Sequence, residues 1–291
     1  MKDQKFPSLF ILIALISILF TGVSQAGTAS TLETIKKTET IRIGYRENEP
    51  PMSFLNKDKQ PIGYSIELCL RIAKEVKSKL KNPNIAIKYV PVTASNRFDA
   101  LANNSIDILC GSTTKTHSRA ELVDFTQLSF VTGGSLLSIK PAKIDGIADL
   151  KGKKVAVVKD TTTIETLKKA LKQNKIDAKV VPVDSAAEGM EAVIKGKVDA
   201  FSSDQVVLIG NAITHKNPEQ FSIGKKLFSF EPFALAVRKN DSEFRLIADR
   251  VLSEINRTGK INAIYARWFG QFTKEMPTLL EAMYLLNSTD E

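Results

Sequence analysis

Read on its own, the chain specifies an α/β protein of two similar lobes, each a mostly parallel sheet flanked by helices, joined by a two-strand hinge. Three observations carry this. Short β-branched runs alternate with helical periodicities along the chain, as parallel strands joined by crossover helices require. One β-α-β-α-β unit occurs twice: Val92-Thr93-Ala94-Ser95 leads through a helix to Ser105-Ile106-Asp107-Ile108, and Val183-Asp184-Ser185-Ala186 leads through one to Lys197-Val198-Asp199-Ala200. Lastly, the segments 129–140 and 228–238 are both strand-like and stand between and after the two units, where a chain crossing between lobes and returning would run.

The first unit has strands over 40–45, 85–92 and 106–110, with helices over 65–80 and 95–103. Ile66, Cys69, Leu70, Ala73 and Val76 mark the buried face of the first helix. The second has strands over 154–158, 179–183 and 198–201, with helices over 162–173 and 186–194, then a helix over 203–214. A helical stretch over 242–269 completes the first lobe, and Leu279, Leu280, Met283 and Leu286 give 278–286 the pattern of a terminal amphipathic helix packed on the body. The expected division is a signal peptide at 1–26, a first lobe of 27–137 with 232–291, and a second lobe of 138–231.

With 291 residues, 43% hydrophobic and 25% charged, the composition is that of a folded globular protein. Lys2 and Lys5, an apolar stretch from Leu9 to Phe20 and Ser24-Gln25-Ala26 follow the order of a secretory signal peptide, and the apolar part is short for a membrane span. The formal charge is +9, but the Lys residues are scattered over helix surfaces with no aromatic-interleaved basic stripe. A solvated basic surface is therefore expected, and no nucleic acid partner. Cys69 and Cys110 are the only cysteines, so at most one intramolecular disulfide can form. Two separately buried thiols are the expectation, with a bridge as the alternative.

Two His and two distant Cys supply a metal centre poorly, and no Walker A loop, Rossmann fingerprint, CxxC, HExxH or GxSxG occurs. No cofactor, metal or catalytic residue is expected. Ser112-Thr113-Thr114-Lys115, Ser203-Asp204-Gln205 and Arg257-Thr258-Gly259 echo the three elements of penicillin-recognising serine enzymes. The third element must lie on a strand beside the nucleophile, and here it falls among helices.

In open parallel sheets ligands bind beyond the carboxyl ends of the strands. The residues there are Arg46, Thr93 to Arg97, Ser112 to Thr114, Asp160 to Thr163, and Ser202 to Asp204. A guanidinium matches a carboxylate bidentately, a helix start with free N–H groups favours an anion, and Asp204 can accept from an ammonium. Two Arg against one Asp leave +1, which complements two carboxylates and one ammonium, as in an acidic amino acid. The bland alternatives are surface ion pairs for the Arg residues and helix caps for Thr161 to Thr163 and for Asp204.

These segments, with Ile41-Arg42-Ile43-Gly44, Pro51-Met52-Ser53-Phe54, Gly63-Tyr64 and Asp149-Leu150-Lys151-Gly152-Lys153-Lys154, resemble the periplasmic solute-binding proteins of polar amino acid ABC transporters, bacterial extracellular family 3. That family has the type II periplasmic binding fold, shared with ligand-binding domains of ionotropic glutamate receptors. The resemblance implies that Arg97 holds a ligand α-carboxylate, helped by Ser112, Thr114, Thr161 and Thr162, and that Asp204 holds the α-ammonium. It is strongest toward glutamate/aspartate-binding proteins, where Arg46 and Ser95 would receive the side-chain carboxylate. Ser185-Ala186-Ala187 stands where those proteins place a side-chain-binding His.

The resemblance further implies a monomer in the periplasm, closing on a small amino acid and then meeting a cognate permease in the inner membrane. A dehydratase of prephenate or arogenate on the same fold is the alternative from another class, with Glu47, Glu49 or Glu188 as the acid. A protein that presents its ligand to a separate sensor is a further one.

Overall fold

The computed structural model describes residues 29–273 and 275–290. The expected signal peptide, 1–26, lies outside them. In chain order the elements are α1 (Thr31–Thr38), β1 (Thr40–Tyr45), β2 (Asn48–Glu49), β3 (Ser53–Leu55), β4 (Pro61–Ile62), α2 (Tyr64–Lys79), β5 (Ala86–Pro91), α3 (Arg97–Ala102), β6 (Ile108–Cys110), α4 (His117–Ala120) and β7 (Val123–Thr132). There follow β8 (Gly134–Ile139), β9 (Lys154–Val158), α5 (Thr162–Gln173), β10 (Lys179–Val183), α6 (Ala186–Ile194), β11 (Ala200–Asp204), α7 (Gln205–Thr214) and β12 (Phe221–Ile223). The chain ends with β13 (Glu231–Arg238), α8 (Ser242–Arg257), α9 (Lys260–Phe269) and α10 (Thr278–Leu286).

Two five-stranded sheets result, ordered β5-β1-β6-β13-β7 and β10-β9-β11-β8-β12, with a small third sheet, β2-β3-β4. The repeat is visible in both: β5-β1-β6 and β10-β9-β11 are parallel and share one order. The crossover strands extend each parallel core with antiparallel partners, so both sheets are mixed. A repeated aspartate closes each unit. Asp107 accepts the Arg42 backbone N–H at 2.8 Å, and Asp199 accepts that of Lys154 at 2.7 Å, fastening the third strand to the first at its entry.

The segment expected as one crossover strand, 129–140, is two: β7 ends in the first sheet at Thr132 and β8 begins in the second at Gly134, with Gly133 between. A Cβ at Gly133 would lie 2.3 Å from the Ser229 carbonyl of the returning segment, so the two crossings touch where only glycine fits. Strand β11 runs on to Asp204 because it pairs with β8 as far as Gly134, which shortens the following helix at its start. The stretch 242–269 breaks into α8 and α9 at Gly259, whose φ of +69° ends a helix. The sequence reading left out α1, although Ser30 and Glu33 form a capping box ahead of an apolar face of Leu32 and Ile35, and the β2-β3-β4 sheet, whose strands are only two or three residues long.

The cores are distinct. The larger one gathers the buried faces of α2, α8, α9 and α10 over the first sheet. Smaller ones cover the two faces of the second sheet, against α6 and α7 on one side and α5 on the other. Cys69 and Cys110 are bonded, with Cα atoms 6.4 Å apart, which corrects the expectation of separate thiols. The buried face of α2 packs on the end of β6, where Ser65 also donates to the Gly111 carbonyl at 3.0 Å. The bridge therefore anchors the strand that leads into Gly111-Ser112.

A cross-link between residues 41 apart in sequence restricts the unfolded chain and should contribute about 2–4 kcal/mol. Urea unfolding of the C69S/C110S double variant is expected to show that loss, with a lower midpoint than wild type under non-reducing conditions. Equal midpoints would contradict it.

Candidate functional site

The carboxyl ends of β1, β6, β9 and β11 meet across a narrow cavity. Seven of the eight expected residues line it: Arg46, Arg97, Ser112 and Thr114 from the first sheet's side, Thr161, Thr162 and Asp204 from the second's. Ser95 does not. It is exposed, and its hydroxyl donates to the Asp160 carboxylate at the rim. The physical reason is the turn before α3: Thr93 and Asn96 bond each other's backbone N–H groups, so the helix starts only at Arg97 and Ser95 stays outside the buried first turn.

Arg97 is buried at the N-terminal end of α3. One terminal nitrogen donates to the Ala94 carbonyl at 2.6 Å and the other to the Asp160 carbonyl at 3.2 Å, while Nε is buried with no partner. The guanidinium lies 4.7 Å over the Phe98 ring, which carries Arg119 at 5.5 Å as well. Burial first, then the charges of Arg119 and Arg46, pull the Arg97 pKa down to about 9. It stays cationic at neutral pH, but as a cation held among cations in a poor solvent it is set to gain from an anion.

Asp204 is the counterpart across the gap. Its Oδ1 is buried without a partner, and although it occupies the position before α7, its side chain makes no capping hydrogen bond. The helix-cap alternative thus fails for Asp204. Burial, and after it the charges of Glu231 and Glu49, hold its carboxyl well above the ordinary carboxylate range, with Arg119 opposing. Thr161 stands before α5 and likewise caps nothing, its hydroxyl being spent on the Val158 carbonyl at 2.7 Å. The first-turn N–H groups of α5 are left uncapped by a side chain beside Thr162 and Thr163 in the cavity wall.

Two charged residues, Arg119 and Glu231, escaped the sequence reading, and a third, Glu49, entered it only as a candidate acid of the dehydratase alternative. Glu49 lies 2.9 Å from Arg46 and accepts from Ser112 at 2.6 Å. Arg119, on α4, lines the cavity and donates to the Thr114 carbonyl at 2.9 Å. Glu231, at the start of β13, is 1% exposed and accepts hydroxyls from Thr114, Thr162 and Ser229 at 2.7–2.8 Å. The expected balance of two Arg to one Asp is therefore revised to three Arg and three acids. Since Glu49 already has Arg46 and Glu231 has its hydroxyls, the groups left wanting are Arg97 and Asp204. One signal pointed to Glu49: it stands three residues after Arg46 on the same strand-end loop.

The two sides touch around this cavity. Beyond the Ser95, Arg97 and Thr162 contacts, α7 meets the first side at Gly210, where a Cβ would fall 2.0 Å from the Pro50 carbonyl. Among the described residues no group of three or more His, Cys, Asp or Glu is placed to hold a metal, and no helix is long and apolar enough to cross a membrane.

Comparison with known proteins adds the following. The family model for bacterial extracellular solute-binding proteins, family 3, matches residues 41–271. The L-glutamate/L-aspartate-binding protein of Pseudomonas aeruginosa is 34% identical, over 91% of this chain and 88% of that protein. The glutamate/aspartate import solute-binding protein of Salmonella typhimurium is 32% identical, over 85% of this chain and 82% of its own. Among solved structures, an ancestral amino acid-binding protein, a precursor of cyclohexadienyl dehydratase, superposes with a TM-score of 0.69 at 29% identity, covering 83% of this chain and all of that one.

A carboxyl whose folded pKa is raised favours folding at low pH: the advantage is complete below the ordinary value of 3.8 and is lost as the pH rises through the folded value. Asp204→Asn is accordingly expected to raise the melting temperature of the ligand-free protein at neutral pH, by an amount that shrinks as the pH falls toward 3.8. Melting curves across pH check it, and a variant less stable than wild type at neutral pH would contradict the assignment.

Proposed function

The chain belongs to the bacterial extracellular solute-binding proteins of family 3, and we propose that it is the periplasmic substrate-binding component of an amino acid ABC importer, closing around an acidic amino acid. The observation that carries this is the pair of unsatisfied buried groups, Arg97 Nε and Asp204 Oδ1, on opposite sides of one cavity. An α-amino acid offers a carboxylate for the first and an ammonium for the second. The uncapped start of α5 supplies further N–H groups for the carboxylate.

Arg46 receives the side-chain carboxylate, and Ser95, turned to the rim, takes no part in it. Relatives named for glutamate and aspartate support the acidic class. The lobes in this reading divide at Gly133 and between Ile223 and Glu231, and the two crossings form the hinge. Residues 1–26 act as the signal peptide, the protein works as a monomer, and the closed form docks on a permease in the inner membrane.

Charge-assisted hydrogen bonds contribute roughly 1.5–3 kcal/mol each. A handful offsets the cost of closure and still leaves binding near ~1 μM, about −8 kcal/mol. Because the contacts to α5 and Asp204 exist only when the lobes meet, ligand shifts the population toward closure.

None of the three acids considered for the dehydratase alternative stands free in the cavity. Glu47 is exposed and outside the cavity wall, and Glu188 is an exposed residue of α6 that accepts the Asp184 N–H at 2.7 Å. Glu49 does reach the cavity but is committed as an acceptor to Arg46 and Ser112. The protein is read as a binding protein and not an enzyme.

Arg97→Ala is expected to abolish amino acid binding in titration calorimetry, a loss of at least about a hundredfold, while the fold persists in its melting curve. An affinity near that of wild type would refute the role given to Arg97.

A further inference from the structure

The cavity contains a carboxylate for which the amino acid clamp has no use. Glu49 faces Arg46 at 2.9 Å and takes the Ser112 hydroxyl at 2.6 Å, with 13% of its side chain exposed and 10% of that of Arg46. The pair is seated against bare backbone at Gly111: a Cβ there would lie 2.9 Å from Arg46 Cγ and 3.7 Å from the Glu49 carboxylate. Its charge is felt in the cavity, being one of those that raise the Asp204 carboxyl and one of those that support the Arg97 cation.

A guanidinium beside a carboxylate is a donor next to an acceptor. An acidic side chain presents two acceptors. One can take an N–H of Arg46, and the other then confronts Glu49, like charge to like charge. A carboxamide presents a carbonyl and an NH2 side by side, so its oxygen accepts from Arg46 while its nitrogen donates to Glu49. Ser112 does not relieve the conflict, because its hydroxyl is already donated to Glu49.

We infer that Glu49 is a specificity-determining residue that makes Arg46 one half of a carboxamide reader, so that the protein takes glutamine or asparagine alongside the acidic amino acids. The inference rests on the clamp proposed above, in which Arg97 and Asp204 hold the α-carboxylate and α-ammonium whatever the side chain.

The test is titration calorimetry of wild type, Glu49→Gln and Glu49→Ser with glutamate, aspartate, glutamine and asparagine, after melting curves have shown which variants fold. Wild type is expected to bind at least one amide within about tenfold of the corresponding acid, a gap under about 1.4 kcal/mol. In the variants the Kd ratio of amide to acid is expected to rise by at least about tenfold, in favour of the acid. A residue that merely held Arg46 in place would weaken all four ligands together and leave the ratio unmoved, which would overturn the inference, as would wild-type binding of the acids alone. If none of the four binds wild type, or Arg97→Ala binds them equally well, the clamp itself fails and the inference falls with it. Intact Arg97-dependent binding with an unmoved ratio sinks only the role of Glu49.

Discussion

Two ionisable groups of opposite type, buried on facing lobes and each left with one polar atom that has no partner in the protein, are what the rest of this molecule is arranged around. Removing a charge from water without compensation is expensive, and proteins ordinarily avoid it by pairing or neutralising the group. Here Arg97 keeps an unpaired Nε and Asp204 an unpaired oxygen, while every neighbouring acid has been given something else to do. Glu49 is engaged by Arg46 and Ser112, and Glu231 by three hydroxyls. Such a cavity is stabilised by a small molecule carrying both charges in a fixed relation.

The fold supplies that geometry twice over. Each lobe is built from one β-α-β-α-β unit with strands in a common order, so the loops after β1 and β6 face those after β9 and β11. Asp107 and Asp199 fasten the entry ends of equivalent strands, which leaves the exit ends free to carry polar side chains. In the first lobe the Cys69–Cys110 bridge pins β6 to α2 immediately before the loop bearing Ser112 and Thr114. Glycines sit where parts must approach closely: Gly133 between the crossings, Gly210 against Pro50, and Gly111 beneath Arg46.

Much of this was legible in the residues. Strand β1 and helices α5 and α6 fall where periodicity put them, because each has a clear apolar face; α10 has its expected bounds, but it buries Leu280, Met283 and Tyr284 while Leu279 and Leu286, expected on the packed face, are exposed. Arg97 and Asp204 were legible as cavity-lining residues because both stand near strand exits, which this architecture brings together. Glu231 and Arg119 were not, since their proximity to the cavity depends on how β13 and α4 fold back, which no local pattern encodes; Glu49 had a local signal in its spacing from Arg46, but its pairing with Arg46 and Ser112 appears only in the fold. Ser95 misled for a related reason: it neighbours Arg97 in sequence, but the Thr93–Asn96 turn directs it to the rim. The disulfide was open because two cysteines on separate elements carry no sign of whether those elements pack together.

The central claim is that the cavity recognises the zwitterion of an α-amino acid through Arg97 and Asp204. Calorimetric titration with glutamate, with glutarate, which lacks the ammonium, and with 4-aminobutyrate, which lacks the α-carboxylate, tests it most directly. The account predicts tight binding of glutamate and loss of at least about a hundredfold for each of the other two. Glutarate or 4-aminobutyrate binding as tightly as glutamate would contradict it.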